Sequence, residues 1–203
     1  MQSGQKGLYA LLDERNAATD DLGRAQVDQR IWERFGARRS VIIGDMSGFS
    51  RITRAHGILH FLAVIRDMHR LLSPIVERYG QVTKMEADNL YASFADPTAA
   101  LRAAVGMHHA CTAHNEGRPE HFQILMSFGI GFGDILDLEG EDYFGDEVNV
   151  ASKLGEDIGS GGQTLLTAGA AHSAELPGGH FLEQHSVRIS GLNLPYYSLE
   201  TLR

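Results

Sequence analysis

An aspartate at the end of an apolar run is the first residue of this chain that could do chemistry. Val41 to Ile43 predict a buried strand, Asp45 ends it, and Ser47 and Gly48 predict a turn into a helix. A carboxylate at the end of a buried strand costs free energy unless a positive partner offsets it. A glycine turn that enters a helix presents backbone N–H groups to an anion. The pattern indicates a metal ion beside a phosphorylated ligand; the alternative is an aspartate that caps the next helix.

Two further features could complete such a site. Asp88 interrupts a second apolar stretch, and adjacent strands would bring it close to Asp45. The alternative for Asp88 is a turn residue before Asn89. Asn149 and Lys153 are four residues apart, so a helix would place them on one face. Their alternatives are a local backbone hydrogen bond and a solvated cation.

The composition limits the partners of this chain. It has 203 residues, of which 43% are hydrophobic, and a net charge of -8, which indicates a folded domain and disfavours nucleic acid as a partner. The single cysteine, Cys111, excludes an intrachain disulfide and a cysteine-based zinc site. The polar N-terminus and the lack of an apolar run of ~20 residues favour a cytoplasmic protein with no membrane insertion.

The elements that must position these residues follow from hydrophobic spacing. Residues 1–38 predict a helical N-terminal extension. The rest predicts a strand at 41–45, a helix at 59–79, two strands within 81–94, a helix at 96–114, a strand at 122–133, a helix at 146–154, a short strand at 164–167 and a hairpin at 187–199. The first six of these follow the βαββαβ order. The predicted fold class is therefore α+β, of the ferredoxin-like split βαβ type.

Four blocks of this chain resemble the class III nucleotide cyclase catalytic domain. They occur in the order of that family, with a weaker fifth block at 162–167, and lie at 45–50, 84–88, 128–133 and 142–154. The resemblance assigns residues 39–203 to a cyclase catalytic palm. It implies conversion of a nucleoside triphosphate to the 3′,5′-cyclic nucleotide and pyrophosphate, in second-messenger synthesis.

The resemblance also implies a two-metal site. Two divalent cations, Mn²⁺ or Mg²⁺, would be held by Asp45, Asp88 and the backbone carbonyl of Met46. The nucleotide would lie against the loop of Ser47, Gly48 and Phe49, whose N–H groups would hold phosphates.

Further implied roles lie late in the chain. Asn149 would orient the ribose, and Lys153 stands where the family has an arginine that stabilises the transition state. Lysine keeps the charge but loses the bidentate fork. Ser190 stands where a phosphate-binding lysine is usual, and Arg188 is a candidate replacement. The family works as a homodimer with shared active sites, and we expect the same here.

The predicted base pocket departs from the family pattern. Lys84 and Asp142 match the pair that reads adenine, whereas Glu86 and Tyr143 stand where apolar residues are usual, and Ala87 replaces a glycine. A narrower, more polar pocket favours UTP slightly over ATP. The small standalone cyclases that make cyclic UMP in anti-phage signalling resemble this chain. An adenylate cyclase is the alternative, and the downstream cyclic-nucleotide-binding effector is not identifiable from the sequence.

Two other classes of protein remain as hypotheses. Lys153 and Ser190 would suit a degenerate cyclase that acts as a nucleotide-binding module, but the retained Asp45, Asp88 and Asn149 argue against it. A diguanylate cyclase or a polymerase palm shares the strand order. The absence of a Gly-Gly-Asp-type hairpin from the sequence argues against that class.

Overall fold

The computed structural model describes residues 3–138, 140–189 and 192–202, without the side chains at 49, 50, 189 and 192. A short 3-10 helix (Glu120–Phe122) and a π-helix (Lys153–Ile158) accompany the main elements. These are α1 (Ser3–Ala17), α2 (Asp21–Phe35), β1 (Gly36–Met46), α3 (Phe49–His56), α4 (Ile58–Glu77), β2 (Gln81–Glu86), β3 (Asn89–Phe94), α5 (Pro97–Asn115), β4 (Met126–Asp137), β5 (Tyr143–Phe144), α6 (Asp146–Ser152), β6 (Thr164–Thr167), α7 (Ala168–Ser173), β7 (His180–Ile189) and β8 (Leu192–Thr201).

The predicted ferredoxin-like order is confirmed. Strands β1, β2, β3 and β4 alternate with α3–α4 and α5 in the βαββαβ sequence, and β1 lies between β3 and β4 with antiparallel pairing on both sides. The sheet continues through β6 and β8 to β7, while β5 pairs with β4. Because β1 is an interior strand, the residues at its C-terminal end have neighbouring strands on both sides.

The two faces of the sheet are covered differently, as the alternation of side chains along β1 requires. Ile42 and Met46 point into the main core, which they share with α4 and α5. Val41 and Ile43 point to the opposite face, into a smaller cluster with Tyr143 and Ala151. Asp45 has the parity of this second face, so the candidate site lies on the side of the sheet away from α4 and α5.

The N-terminal extension is a pair of helices. The Asp20 side chain caps α2 by accepting a hydrogen bond from the Gly23 N–H at 2.7 Å. The two helices pack through an apolar cluster that includes Leu138 of the sheet unit; its helical members are Leu8, Leu11, Val27, Ile31 and Phe35. Since α2 ends at Phe35 and β1 begins at Gly36, no loop separates the extension from the sheet.

Several bounds differ from the sequence prediction. The predicted helix at 146–154 ends as an α-helix at Ser152 and continues as the π-helix Lys153–Ile158, and α7 was not predicted. The terminal hairpin is longer than predicted, with ten-residue strands. Over the described ranges, no helix has both the length and the apolar character that a membrane span needs.

Candidate active site

The register of the sheet brings the two predicted metal-binding aspartates together. Asp45 lies opposite Asn89 in the β1–β3 pairing, and Asp88 precedes Asn89 in the tight turn after β2. This confirms the expectation that adjacent strands would place Asp45 and Asp88 side by side. The two carboxylates are separated in sequence by α3, α4 and β2 but share one corner of the sheet.

The electrostatics of this corner favour a cation. Burial, and then the negative charges of Asp88, Glu156 and Asp157, raise the pKa of Asp45 to about 6, while the Met46 N–H opposes the shift. Burial is also the main cause that raises the pKa of Asp88, followed by the charge of Glu156. Carboxylates whose ionised form is disfavoured by burial and like charge gain most from a bound cation.

The donors at this corner fit a divalent cation only in part. Carboxylate and carbonyl oxygens are the ligands that Mg²⁺ and Mn²⁺ prefer, and Asp45, Asp88 and the Met46 carbonyl supply that type. Within the described ranges, no three His, Cys, Asp or Glu side chains converge closely enough to hold a metal ion. The remaining oxygen ligands must therefore come from outside these side chains, as phosphate oxygens would provide.

The turn after Asp45 corrects one part of the prediction. The Ser47 N–H donates to the Leu125 carbonyl at 2.8 Å, so this group is not free for a phosphate. Gly48, with φ of 98°, is the N-cap residue of α3, and the first helical hydrogen bond runs from the Ile52 N–H to the Gly48 carbonyl. The N–H groups of the first helical turn have no partner within a helix. Of the predicted phosphate contacts, only the N–H groups of this first helical turn remain candidates. The predicted Phe49 side chain lies outside the described residues.

The alanine at position 87 affects the backbone of the turn between β2 and β3. Ala87, where the family has glycine, adopts a φ of 52° in the β2–β3 turn. A left-handed conformation costs a residue with a Cβ about 1–2 kcal/mol. The turn that aims Asp88 is therefore held under a small strain that a glycine would relieve.

The predicted base-reading pair is in direct contact. The Lys84 ammonium on β2 donates to Asp142 Oδ1 at 3.1 Å and Oδ2 at 3.2 Å. The Lys84 and Asp142 side chains are 34% and 17% exposed, so a ligand could reach both. Asp142 is oriented further by the Tyr143 N–H, which donates to Oδ1 at 2.9 Å. Glu86 is exposed at the end of β2.

Tyr143 does not lie where the sequence suggested. Its side chain is 4% exposed and packs with Val41, Ile43 and Ile135 in the smaller apolar cluster. The hydroxyl donates to the Ile42 carbonyl at 3.4 Å. Within this chain the Tyr143 ring packs against the sheet in this cluster. The premise that Tyr143 narrows an open pocket is therefore wrong.

Asn149 and Lys153 lie on the same side of the sheet as Asp45. Asn149 is exposed on α6, and its carbonyl accepts from the Lys153 N–H at the junction with the π-helix. The Lys153 ammonium donates to the Asp157 carboxylate and is 54% exposed. Both residues are therefore accessible from solvent.

Glycines set the distance between this helical segment and the sheet. A Cβ on Gly129 would lie 2.0 Å from the Ala151 carbonyl oxygen, and one on Gly155 would lie 2.3 Å from the Ile43 carbonyl oxygen. On Gly131 a Cβ would lie 2.7 Å from the Glu147 carbonyl oxygen. The glycines of the 128–133 block are therefore a packing requirement, since they let α6 lie directly on β4 and β1.

Arg188 stays apart from the other predicted residues. It is exposed on β7 and paired in register with Asn193 of β8. Over the described ranges no ion pair or hydrogen bond joins Arg188 to either aspartate. Ser190 and Gly191, which carried that part of the resemblance, lie outside the described residues, and the phosphate role of Arg188 stays a prediction.

Sequence reasoning missed a third carboxylate and its partner. Glu156 Oε1 accepts from the Tyr91 hydroxyl at 3.1 Å, and Glu156 Oε2 accepts from the Ser152 hydroxyl at 2.7 Å. A glutamate on a helix is usually solvated, and Tyr91 looks like an ordinary strand residue. Only the spacing of Ser152 and Glu156, four apart on a helix, was a signal.

No protein-family model matches the chain. A putative adenylate cyclase of Rhizobium meliloti (strain 1021) is 32% identical over 117 residues, which are 57% of this chain and 20% of that protein. The matched region thus spans about a fifth of the curated relative.

Solved structures match over more of the chain. An adenylate/guanylate cyclase/hydrolase from Silicibacter pomeroyi has a TM-score of 0.67 and 23% identity, over 83% of this chain and 98% of its own. The adenylyl cyclase CyaB from P. aeruginosa has a TM-score of 0.68 and 17% identity, over 83% and 97%. The chain therefore has the fold of adenylate and guanylate cyclase domains, and the predicted resemblance to cyclases is confirmed at the level of the fold.

Proposed function

We propose that this chain is the catalytic part of a nucleotide cyclase that converts a nucleoside triphosphate to its 3′,5′-cyclic monophosphate and pyrophosphate. The observation that carries the proposal is the pair Asp45 and Asp88 at one sheet corner, with a pKa of about 6 at Asp45. The contact between Lys84 and Asp142 supports it, because it supplies a donor and an acceptor for a base edge.

The mechanism assigns each group a separate task. Asp45, Asp88 and the Met46 carbonyl would hold two divalent cations, which when bound lower the pKa of the attacking hydroxyl and offset phosphate charge. Asn149 orients the ribose so that its 3′ oxygen faces the α-phosphorus. Lys153 leaves Asp157 to stabilise the charge that develops on the α-phosphate. Positioning and charge stabilisation account for most of the rate in such a reaction.

A homodimer with shared sites is part of the proposal. Asn149 and Lys153 are exposed in the single chain, which supports a role on a neighbouring copy. Closed two-fold symmetry would give two equivalent sites, each with the metal-binding aspartates from one copy. The other copy would complete each site with Lys84, Asp142, Asn149 and Lys153.

The base is proposed to be adenine rather than uracil. The slight preference for UTP depended on a pocket narrowed by Tyr143, whose side chain is in the apolar cluster. The curated relative bears the name of an adenylate cyclase. UTP remains the second candidate because the Lys84 and Asp142 groups could also donate to a uracil carbonyl and accept from its N3–H. The role in anti-phage signalling has only the sequence resemblance in its support.

The test is turnover of each nucleoside triphosphate with Mn²⁺ or Mg²⁺, with products identified by mass. Asp45→Asn and Asp88→Asn should each lower turnover at least ~100-fold, as loss of an electrostatic stabiliser does. Asp21→Asn, a change at a fully exposed carboxylate, is the matched control and should leave turnover unchanged.

A second measurement tests the shared sites. Inactive Asp45→Ala and inactive Asn149→Ala chains, when mixed, should recover activity because each heterodimer contains one intact site. Full turnover by Asp45→Asn would refute the metal role, and heterodimers without activity would refute sharing. Nucleotide binding by the wild-type protein without any cyclic product would instead indicate a degenerate cyclase.

A further inference from the structure

We infer that Tyr91 is a positioning residue for base recognition: its ring holds the Lys84 ammonium toward Asp142, and its hydroxyl fixes that ring to the helical segment that carries Lys153. The inference rests on the proposed function, because it takes Lys84 and Asp142 as the groups that meet the base. It adds a residue that neither the sequence motifs nor the comparisons assign.

The ring lies against the lysine. Lys84 on β2 is directly opposite Tyr91 on β3 in the antiparallel register, and the Lys84 Nζ is 4.7 Å from the Tyr91 ring centroid. A cation at this distance over an aromatic ring is attracted to it. The same ammonium donates to both oxygens of Asp142. Lys84 is thus held between the ring and the carboxylate, with part of its surface open.

The hydroxyl fixes the ring at its far end. It donates to Glu156 Oε1 at 3.1 Å, and Glu156 Oε2 accepts from Ser152 at 2.7 Å. Burial and the charge of Glu156 raise the pKa of Tyr91 to about 12, so the hydroxyl remains a donor at neutral pH. Ser152 ends α6 directly before Lys153.

These contacts form one continuous path. It runs from Asp142 through Lys84 and the Tyr91 ring to Glu156 on the π-helix. A lysine side chain has several rotamers of similar free energy, and its ordering on base binding has an entropic cost. A ring that already limits those rotamers lowers this cost and keeps the donor in one place.

The two halves of the role are separable by substitution. Tyr91→Phe keeps the ring and removes the hydroxyl, whereas Tyr91→Leu removes both. Glu156→Gln keeps an acceptor oxygen for the hydroxyl and removes the charge. We expect the largest effect on base discrimination from Tyr91→Leu, a smaller one from Tyr91→Phe and the least from Glu156→Gln. Tyr9→Leu, at an exposed tyrosine of α1, is the matched control.

The experiment is calorimetric measurement of ATP, UTP and inorganic triphosphate binding in the presence of Mn²⁺, with turnover of the same samples. We expect Tyr91→Leu to raise the Kd for the preferred nucleotide about 5-fold or more, the equivalent of one cation–π contact. The ratio of the ATP and UTP Kd values should move toward one, with triphosphate binding little changed. Tyr9→Leu should alter none of these values.

The outcomes separate this inference from the proposed function. An unchanged Kd ratio in a folded Tyr91→Leu protein, or an equal loss for nucleotides and triphosphate, would overturn the positioning role. Wild-type protein that discriminates bases but makes no cyclic product would overturn the cyclase proposal and leave the binding test intact. If Tyr91→Leu does not fold, by circular dichroism, Tyr91→Phe must still shift the ratio, and an unshifted ratio there refutes the inference.

Discussion

Replacing Gly129 with alanine should separate the helix that carries Asn149 from the sheet. The added Cβ would lie 2.0 Å from the Ala151 carbonyl oxygen, 2.7 Å from the Gly155 nitrogen and 2.9 Å from the Ala151 carbonyl carbon. All three are backbone atoms, so no side chain can rotate away to make room. The strand and the helical segment must move apart instead.

The size of this movement follows from the contact distances. Ordinary van der Waals contact begins at 3.4 Å, so the closest pair must separate by about 1.4 Å, the difference between 3.4 and 2.0 Å. The hydrogen bond from the Ser127 hydroxyl to the Gly155 carbonyl, 2.6 Å long, would be broken by such a shift. Overpacking costs about 1–3 kcal/mol and the buried hydrogen bond about 1 kcal/mol. We therefore expect a loss of about 2–4 kcal/mol in the free energy of unfolding.

Urea unfolding followed by circular dichroism measures this loss. Gly178→Ala is the matched control, because a Cβ at Gly178 would meet no atom of the described part of the chain within 4 Å. Under the proposed function, Gly129→Ala protein that remains folded should also lose most of its turnover, since Asn149 and Lys153 move with the helix. A free energy of unfolding within about 0.5 kcal/mol of the control would refute the packing argument.

Three further predictions concern stability. Glu147→Ala should lower the free energy of unfolding by about 2–3 kcal/mol, because Glu147 Oε2 accepts from the Phe132 N–H at 3.1 Å and the Thr167 hydroxyl at 2.6 Å. Glu33→Ala is the control, and an equal loss in both variants would show that these two hydrogen bonds do not stabilise the fold. Ala87→Gly should raise the free energy of unfolding by up to about 1 kcal/mol, because glycine adopts the φ of 52° at this position without strain. A lower urea midpoint for Ala87→Gly would contradict the inference that the turn is strained. Burial lowers the pKa of His108 to about 4, from an ordinary 6.5. The unfolded chain then binds the proton first, so the stability that the neutral His108 contributes should be present above pH 6.5 and lost as the pH falls toward 4. His108→Gln should flatten that slope relative to the exposed His109→Gln, and an unchanged slope would exclude His108 as its source.

The sequence predicted best what depends on the periodicity of apolar residues. The strand that leads to Asp45 is an apolar run because both of its faces are buried, and the helix Ile58–Glu77 has a strong helical period because one of its faces is buried. The meeting of Asp45 and Asp88 followed from strand adjacency alone. The glycines at 129 and 131 were visible as a block, although their packing against α6 was not.

The parts that were missed depend on contacts between distant residues. The Tyr91 hydroxyl and Glu156 are 65 residues apart, and no local pattern indicates that they meet. A strand of two residues gives no alternation from which to place the Tyr143 ring. The hydrogen bond from the Ser47 N–H to the Leu125 carbonyl depends on where β4 begins. Strand ends are set by tertiary packing rather than by propensity.

The direct junction of α2 and β1 has a practical consequence for dissecting this protein. A fragment that began at residue 39 would lack the first residues of the central strand, where Gly36 to Arg38 pair with β4. It would also uncover Leu138, which is fully buried by the helical pair, and free Glu141 from the N–H groups of Gly4 and Gln5. The N-terminal helices are thus a structural part of the sheet unit, and expression trials aimed at a minimal fragment should retain them.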